Sequence, residues 1–319
     1  MSVPQAVAPQ PRAARLAFAR RGGTQALLFL APALILLVLL LVIPMIWTIA
    51  LSFNSGRGLR FQEQWVGLEH YITLFTKDKT FLDLDEFPPE GAIVNNVLWV
   101  VLYTSLCLAL GLGIAVLASR VRYERLIKAV VFVPMAISAT AVAIIWLFVY
   151  SPDPNQGVLN AVIKVFDQNF KPISWTGRPS TVNYAIILAY VWASAGFAMV
   201  VLSAALKGIP VDIIEAARTD GASDWNIFRR IQLPMLSLPI AVVTVWLIIN
   251  VIKVFDIIYV MTRGGPGTSS RVIAYSMFRE TFEGGKGGYG AAIAVVMLVL
   301  IIPIMALNIR RFRSEAIQG

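Results

Sequence analysis

The stretch EAARTDGASDWNIFRRIQLP, Glu215 to Pro234, mixes acids with three arginines and lies between two long apolar runs. Just before it, Pro210 can open a helix, because its missing N–H would be orphaned in the first turn anyway. Asp212 and Glu215 then fall near that N-terminus, where the helix dipole favours acids. Gly221 can end the helix in a left-handed cap, and Ser223 can cap a second one. In the second helix Trp225, Phe228 and Ile231 recur every three residues and share a stripe, with Arg229 and Arg230 on the other side. Pro234 ends or kinks it. Residues 210–234 therefore read as two short amphipathic helices with a glycine between them. Chemistry alone leaves two uses open: an interfacial helix pair lying on a bilayer, or a docking element for a cytoplasmic protein.

The flanking runs decide the fold class. Of 319 residues, 58% are hydrophobic and 14% charged, against about 45–50% and about 25% in soluble domains. Six stretches can cross a hydrocarbon core of about 30 Å, which takes about 20 apolar helical residues. They are Ala26–Leu51, Ile93–Ser119, Ala129–Tyr150, Val182–Leu206, Leu238–Met261 and Tyr289–Ile309. Long unbroken runs favour helices over the short alternating strands of a barrel. The expectation is an all-α integral membrane protein with six transmembrane helices.

Basic residues beside the spans orient it. Arg12, Arg15, Arg20 and Arg21 precede the first span; Arg120, Arg122, Arg125 and Lys128 follow the second; Arg310, Arg311 and Arg313 follow the last. With six spans these segments share one side, the cytoplasm, and the helix pair at 210–234 falls there too. Loop Ser52–Ala92 then lies outside and is net acidic. The loop after the fifth span is outside by alternation, although it holds Arg263, Arg271, Arg279 and Lys286. The chain divides into a Pro/Ala/Arg-rich, disordered cytoplasmic tail (1–25), a six-helix transmembrane domain (26–309) and a cytoplasmic C-terminal tail (310–319). Between the third and fourth spans, Val158, Leu159, Val162, Ile163 and Phe166 share one face of a short helix. It reads as a lid on the bundle or membrane surface, with a lip for an external partner as the alternative.

Several chemistries are missing. The net charge of +9 sits beside the apolar runs, so nucleic acid is not the implied partner; lipid is. The single cysteine, Cys107, allows no intrachain disulfide, and the single histidine, His70, makes a His/Cys metal site an unattractive reading. No G-x-x-x-x-G-K-[ST] is present, and GGKGG at Gly284–Gly288 lacks that spacing. No nucleophile motif appears, so the chain reads as a non-enzyme without a cofactor. Energy must then come from an ion gradient or from another chain. Lys253 and Asp256, three apart on one face of the fifth span, read as a local ion pair, with the lining of a polar cavity as the alternative. They are also the candidates a gradient-driven carrier would use.

The spacing Glu215-Ala216-Ala217, three residues, Gly221, nine residues, Ile231, one residue, Leu233-Pro234 resembles the EAA loop of permeases from bacterial ATP-binding-cassette importers. Every motif position matches. FDIIYVMTRGGPGTSS (Phe255–Ser270) resembles the signature of carbohydrate-uptake permeases. WVGLEHYITLF (Trp65–Phe75) and FVPMAISATAVAIIWLFVYSPDPNQGVLNAV (Phe132–Val162) are similar to the maltose and alpha-glucoside group. The outer loop at 76–91 is longer than the common pattern. The resemblance implies the type I ABC importer permease fold and an importer of di- or oligosaccharides such as alpha-glucosides. It implies that Glu215, Ala216, Ala217, Gly221, Ile231, Leu233 and Pro234 form the coupling loop. It implies, as partners, a second six-helix permease, two ATPase subunits that bind ATP and Mg²⁺, and an extracytoplasmic sugar-binding protein. The location implied is the bacterial inner membrane.

The resemblance also implies that the spans flanking the loop line the substrate path. A sugar site needs aromatic faces and neutral hydrogen-bonding groups. Tyr190, Ser194 and Phe197 in the fourth span, with Trp246, Asn250 and Lys253 in the fifth, are the candidates; their spacing lets each set face one cavity. Bundle packing is the plainer reading of any one of them. Other expectations kept open are an importer for another solute such as glycerol phosphate or an amino acid, a gradient-driven carrier, and a membrane scaffold.

Overall fold

The computed structural model describes residues 28–60, 64–85, 90–153 and 155–318; the tail expected at 1–25 lies outside them. The chain divides into two units, one ending at Ala50 and one beginning at Leu51. The first described helix, α1 (Leu28–Leu51), carries no charged residue. Pro44 cannot donate to the carbonyl four residues back, and a π turn at Val38–Val42 lies directly before it, so the wider turn accommodates the missing N–H.

From Leu51 the elements are α2 (Glu69–Thr76), α3 (Ala92–Ala118), α4 (Glu124–Phe132), α5 (Ala139–Val149) and α6 (Val158–Phe166). There follow α7 (Pro179–Lys207), α8 (Val211–Thr219), α9 (Asp224–Met235), α10 (Ser237–Ile252) and α11 (Asp256–Met261). The last two are α12 (Ile273–Phe278), extended by a π turn at Arg279–Glu283, and α13 (Gly287–Gln318), which carries the helix through the segment expected as a C-terminal tail. Among the described residues, four helices (α1, α3, α7 and residues 287–310 of α13) are long and apolar enough to cross a membrane. The number rises to six if each of two bent pairs is one span.

Those bent pairs correct the expectation of six continuous spans. The third span does not run straight from Ala129 to Tyr150. Glu124–Ala136 and Ala139–Val149 meet at 103°. Pro134 sits in a 3-10 turn, Ile137 is extended, and the Ser138 hydroxyl accepts from Ala141 N at 3.2 Å to start α5. The fifth span breaks as well. α10 stops at Ile252, after about 24 Å at 1.5 Å per residue, and α11 begins only at Asp256. At its other end, Asp224–Met235 and Ser237–Ile252 meet at 66°.

α3 and α7 form the centre. A Cβ on Gly111 would lie 2.6 Å from Ala198 Cβ and 2.8 Å from Met199 N, so only glycine permits this crossing. In lipid, helices associate through such close packing rather than through apolar burial, because the tails are as apolar as the side chains. α10 packs beside α3 and α7, α11 beside α5, and α13 beside α10 and α12. Trp99, Tyr103, Ile186 and Met199 are fully enclosed at the centre.

Amides fasten the segment between α11 and α12 to this centre. Asn183 Nδ2 donates to Asn95 Oδ1 (2.9 Å) and Ser269 O (2.7 Å). Asn95 Nδ2 donates to Ser269 O (2.9 Å) and Arg271 O (2.8 Å). Asn96 Nδ2 donates to Val251 O (3.1 Å), and its Oδ1 accepts from Ile273 N (2.8 Å). A buried amide is costly unless bonded, so these three asparagines hold the segment in one place.

Residues 76–85 and 90–91 of the outer loop are packed rather than loose. Phe81 is fully buried in a second small core with Leu74, Ala92, Ile273, Tyr289 and Ile293. Ile273 and Met277 of α12, which follows the basic loop, belong to or pack on this core. Gly58 N donates to Gly285 O and Gly288 N to Gly56 O, each at 3.0 Å. A Cβ on Gly287 would overlap Gly58, so the run at Gly284–Gly288 serves close backbone approach.

Candidate functional site

The helix pair at 210–234 forms as its local chemistry directs. Pro210 precedes α8 with φ −56°, and Asp212 lies in the first turn. Gly221 takes φ +79°, left-handed, with Gly221 N donating to Arg218 O and Ala222 N to Ala217 O, both at 3.0 Å. Ser223 caps α9, its hydroxyl accepting from Asn226 N at 3.4 Å. A π turn at Phe228–Gln232 precedes Leu233-Pro234, as before Pro44. Glu215 and Ala216 are exposed and Ala217 is half-buried. The Glu215 carboxylate forms no ion pair among the described residues. In the expected stripe Trp225 is exposed, with its ring 5.7 Å from Phe228, and Ile231 is half-covered. The residue that anchors α9 is Ile227, 3% exposed.

One ion pair ties the helix pair to the segment after α3, and a second joins its two helices. Arg120 reaches Asp224 at 3.1 Å, and Arg218 reaches it at 3.6 Å. Beside them Glu124 accepts from Lys128 and from Lys207 (2.8 Å), and Lys128 also donates to Ser203. The hydrogen bond from Lys128, then that from Lys207, holds the Glu124 carboxyl down at about 2. Arg120, Glu124, Lys207 and Arg218 share the wall of a cavity of about 400 Å³. The sequence alone does not reveal the links of Arg120 to Asp224, Lys207 to Glu124 and Lys128 to Ser203, because partners about 75 to 104 residues apart carry no local signal.

The second candidate region is the break after α10. Lys253 and Asp256 do not share a helix face, and no ion pair joins them among the described residues. This overturns the local-pair reading. Lys253 caps the C-terminal, negative end of α10, and Asp256 opens the positive N-terminal end of α11. Each charge therefore meets a helix dipole of opposite sign. Tyr190, Asn250, Lys253, Phe255 and Asp256 surround a cavity of about 220 Å³.

Three of the six path candidates, Tyr190, Asn250 and Lys253, are thus brought together. Asn250 Nδ2 also donates to Trp246 O at 2.8 Å. Phe197 and Trp246 stack on each other at 4.0 Å instead, and Ser194 is buried. Tyr190 is backed by Tyr103 (5.0 Å) and Trp99 (5.8 Å). Those two rings sit four residues apart in the second apolar run, a helical spacing that could have found them. The adjacent Asn95 and Asn96 were a stronger overlooked signal, since paired amides in an apolar run need partners. The helix α6 behaves partly as a lid. Leu159 packs on the core, and Asn160 is fully buried and bonded to Ser151 O, Ile173 N and O, and Trp175 Nε1. Val158, Val162 and Phe166 remain exposed.

Residues 107–310 match the family described as binding-protein-dependent transport system inner membrane component. This chain belongs to that family. The match takes in both regions above. This permease is 44% identical over 292 residues to the osmoprotective compounds uptake permease protein GgtC of Synechocystis, covering 90% of this chain and 99% of that one. It is 40% identical over 294 residues to the alpha-glucoside transport system permease protein AglF of Rhizobium meliloti, covering 91% and 82%. Among solved structures, a chain of a bacterial ABC transporter involved in import of the acidic polysaccharide alginate superposes with a TM-score of 0.76 at 24% identity, over 93% of this chain and 99% of that one. At that identity the likeness speaks for the fold, the type I ABC importer permease. The permease is a multi-pass inner-membrane transport component and not an enzyme.

Proposed function

We propose that this permease forms half of the translocation pathway of an ATP-driven importer for di- or oligosaccharides of the alpha-glucoside kind. The observation that carries the reading is the pairing of an exposed helix pair, with Glu215 and Ala216 outward, and a polar break between α10 and α11. Two ATPase subunits, which bind ATP and Mg²⁺, dock at 210–234 on one or other half of the pore. A second six-helix permease completes the pore, and an extracytoplasmic binding protein delivers the sugar. Both termini are cytoplasmic. Arg120, Lys207 and Arg218 gather at the end that holds the helix pair, which supports that orientation.

In this reading ATP draws the ATPases together and moves the coupling loops, and the halves rock between inward- and outward-facing states. A ligand shifts that equilibrium only by binding one state better. Tyr190 and Phe255 offer ring faces to a sugar, and Asn250 and Lys253 offer donors. A small osmoprotective solute is the second reading, favoured by the relative at 44% identity. The complex reconstituted in proteoliposomes with its binding protein tests the proposal. Uptake of labelled maltose or trehalose should require ATP hydrolysis and survive collapse of the proton gradient. Loss of uptake with the gradient would turn the reading to a carrier using Lys253 and Asp256; uptake of neither sugar would remove the cargo assignment.

A further inference from the structure

The largest cavity among those described lies away from both regions, where the loop after α1 and α2 meet the segment Arg271–Tyr289. It is open and holds about 900 Å³. Arg57, Lys77, Arg271, Arg279 and Lys286 line it, against the acids Asp78 and Glu280. Five cations face two carboxylates, and those carboxylates are engaged. Glu280 pairs with Lys286 at 3.2 Å. Asp78 accepts from Tyr289 Oη (2.7 Å) and from Thr80 N (2.9 Å) and Oγ1 (2.7 Å). Arg57, Lys77, Arg271 and Arg279 form no ion pair among the described residues.

Arg271 is the informative one. It is 5% exposed. One guanidinium nitrogen donates to Thr80 Oγ1 at 2.7 Å, while Nε is enclosed without a partner. Asp78 reaches it only through the Thr80 hydroxyl. A buried guanidinium without a carboxylate is expensive, since desolvation is not repaid by a counter-charge. Its placement is also imposed: Asn95 Nδ2 holds the Arg271 carbonyl, and Asn96 Oδ1 holds the next-but-one amide, Ile273 N. The fold therefore fixes a planar, five-donor cation on the wall of a roomy polar cavity. That geometry suits a two-oxygen anion.

We propose that this cavity is an oxyanion-binding site for a carboxylate or phosphate group, with Arg271 as its fixed donor and Arg57, Lys77 and Arg279 as its rim. The group belongs either to a free small anion or to an acidic side chain of the delivering binding protein. The site stands on its own geometry, whatever the cargo is.

The test uses the assembled transporter in nanodiscs. Citrate and inorganic phosphate are titrated against sodium chloride at matched ionic strength, and thermal stability is read. Saturable stabilisation is expected for the wild type. Arg271→Gln should weaken it by roughly 10-fold or more, as expected for loss of a charge-assisted hydrogen bond. Arg279→Gln, on the exposed rim, should weaken it by about 3-fold, and it guards against Arg271→Gln simply failing to fold. A response to ionic strength alone, or saturation unchanged in both variants, overturns the site. With the site established, citrate that competes with the binding protein in stimulating ATP hydrolysis assigns the anion to that protein. Absence of competition assigns it to a free anion.

Discussion

The helix pair at 210–234 and the segment from Thr262 to Arg271 are both irregular connections beside α10 and α11, yet they are built by opposite means. The first is assembled from neighbours in sequence: Pro210, Gly221 and Ser223 each act within four residues, and most of its surface is exposed. The second is held from afar, by Asn95, Asn96 and Asn183. Within itself it adds a hydrogen bond from Ser270 Oγ to Gly265 O (2.7 Å) and one between the Thr262 and Ser270 hydroxyls (2.7 Å). A locally determined element keeps its shape while leaving its surface free. A segment held from a distance surrenders its surface to the fold. Substitutions in the first should therefore disturb coupling with little change in stability, and those in the second should do the reverse.

The largest expected effect is Glu215→Arg. If a cation on the ATPase meets Glu215, reversal costs about 2–5 kcal/mol of docking. Binding-protein-stimulated ATP hydrolysis should then fall about 30-fold or more, with the melting temperature of the permease unchanged. Normal stimulation would remove Glu215 from the interface. Next, Asn183→Ala breaks bonds to Asn95 and Ser269 and should cost about 2 kcal/mol of stability. It is read by denaturant titration in detergent; no change would mean that the amides do not hold the segment. Gly221→Ala sharpens the contrast. Nothing lies within 4 Å of the added Cβ, so only the left-handed φ is penalised, by about 1 kcal/mol. Coupling should suffer more than stability.

Smallest is Glu124→Gln. The Glu124 carboxyl, at about 2, lies below its ordinary 4.5, so ionised pairing with Lys128 and Lys207 stabilises the fold fully above about pH 4.5. That contribution fades as pH falls through 2. The melting-temperature gap between wild type and variant should be constant from pH 5 to 8 and narrow below pH 4.5. A gap that instead widens on acidification would contradict the pairing.

The sequence carried the helix pair almost residue for residue, because capping, dipole and left-handed-glycine effects act over single turns. It also carried α1, α3, α7 and the apolar part of α13, since unbroken apolar length is enough to mark a span. It misled at the third and fifth apolar runs. Pro134 with Ser138, and Lys253 with Asp256, lay inside stretches whose composition outweighed them, yet there the backbone leaves the helix. Lys253 and Asp256 looked like a pair on one face because three-residue spacing assumes the helix continues.

The sequence by itself determined the membrane class, the caps and hinge of the helix pair at 210–234 and the apolar lengths, since each follows from composition or from interactions within a turn. Tertiary structure alone decided that Tyr190, Asn250, Lys253 and Asp256 share one cavity. It also decided that Arg271 is buried beside Thr80 and that Asp224 is tied to Arg120. The physical reason is range: these contacts join residues up to about 190 positions apart, and such contacts exist only once the close crossing of α3 and α7 has brought their helices together.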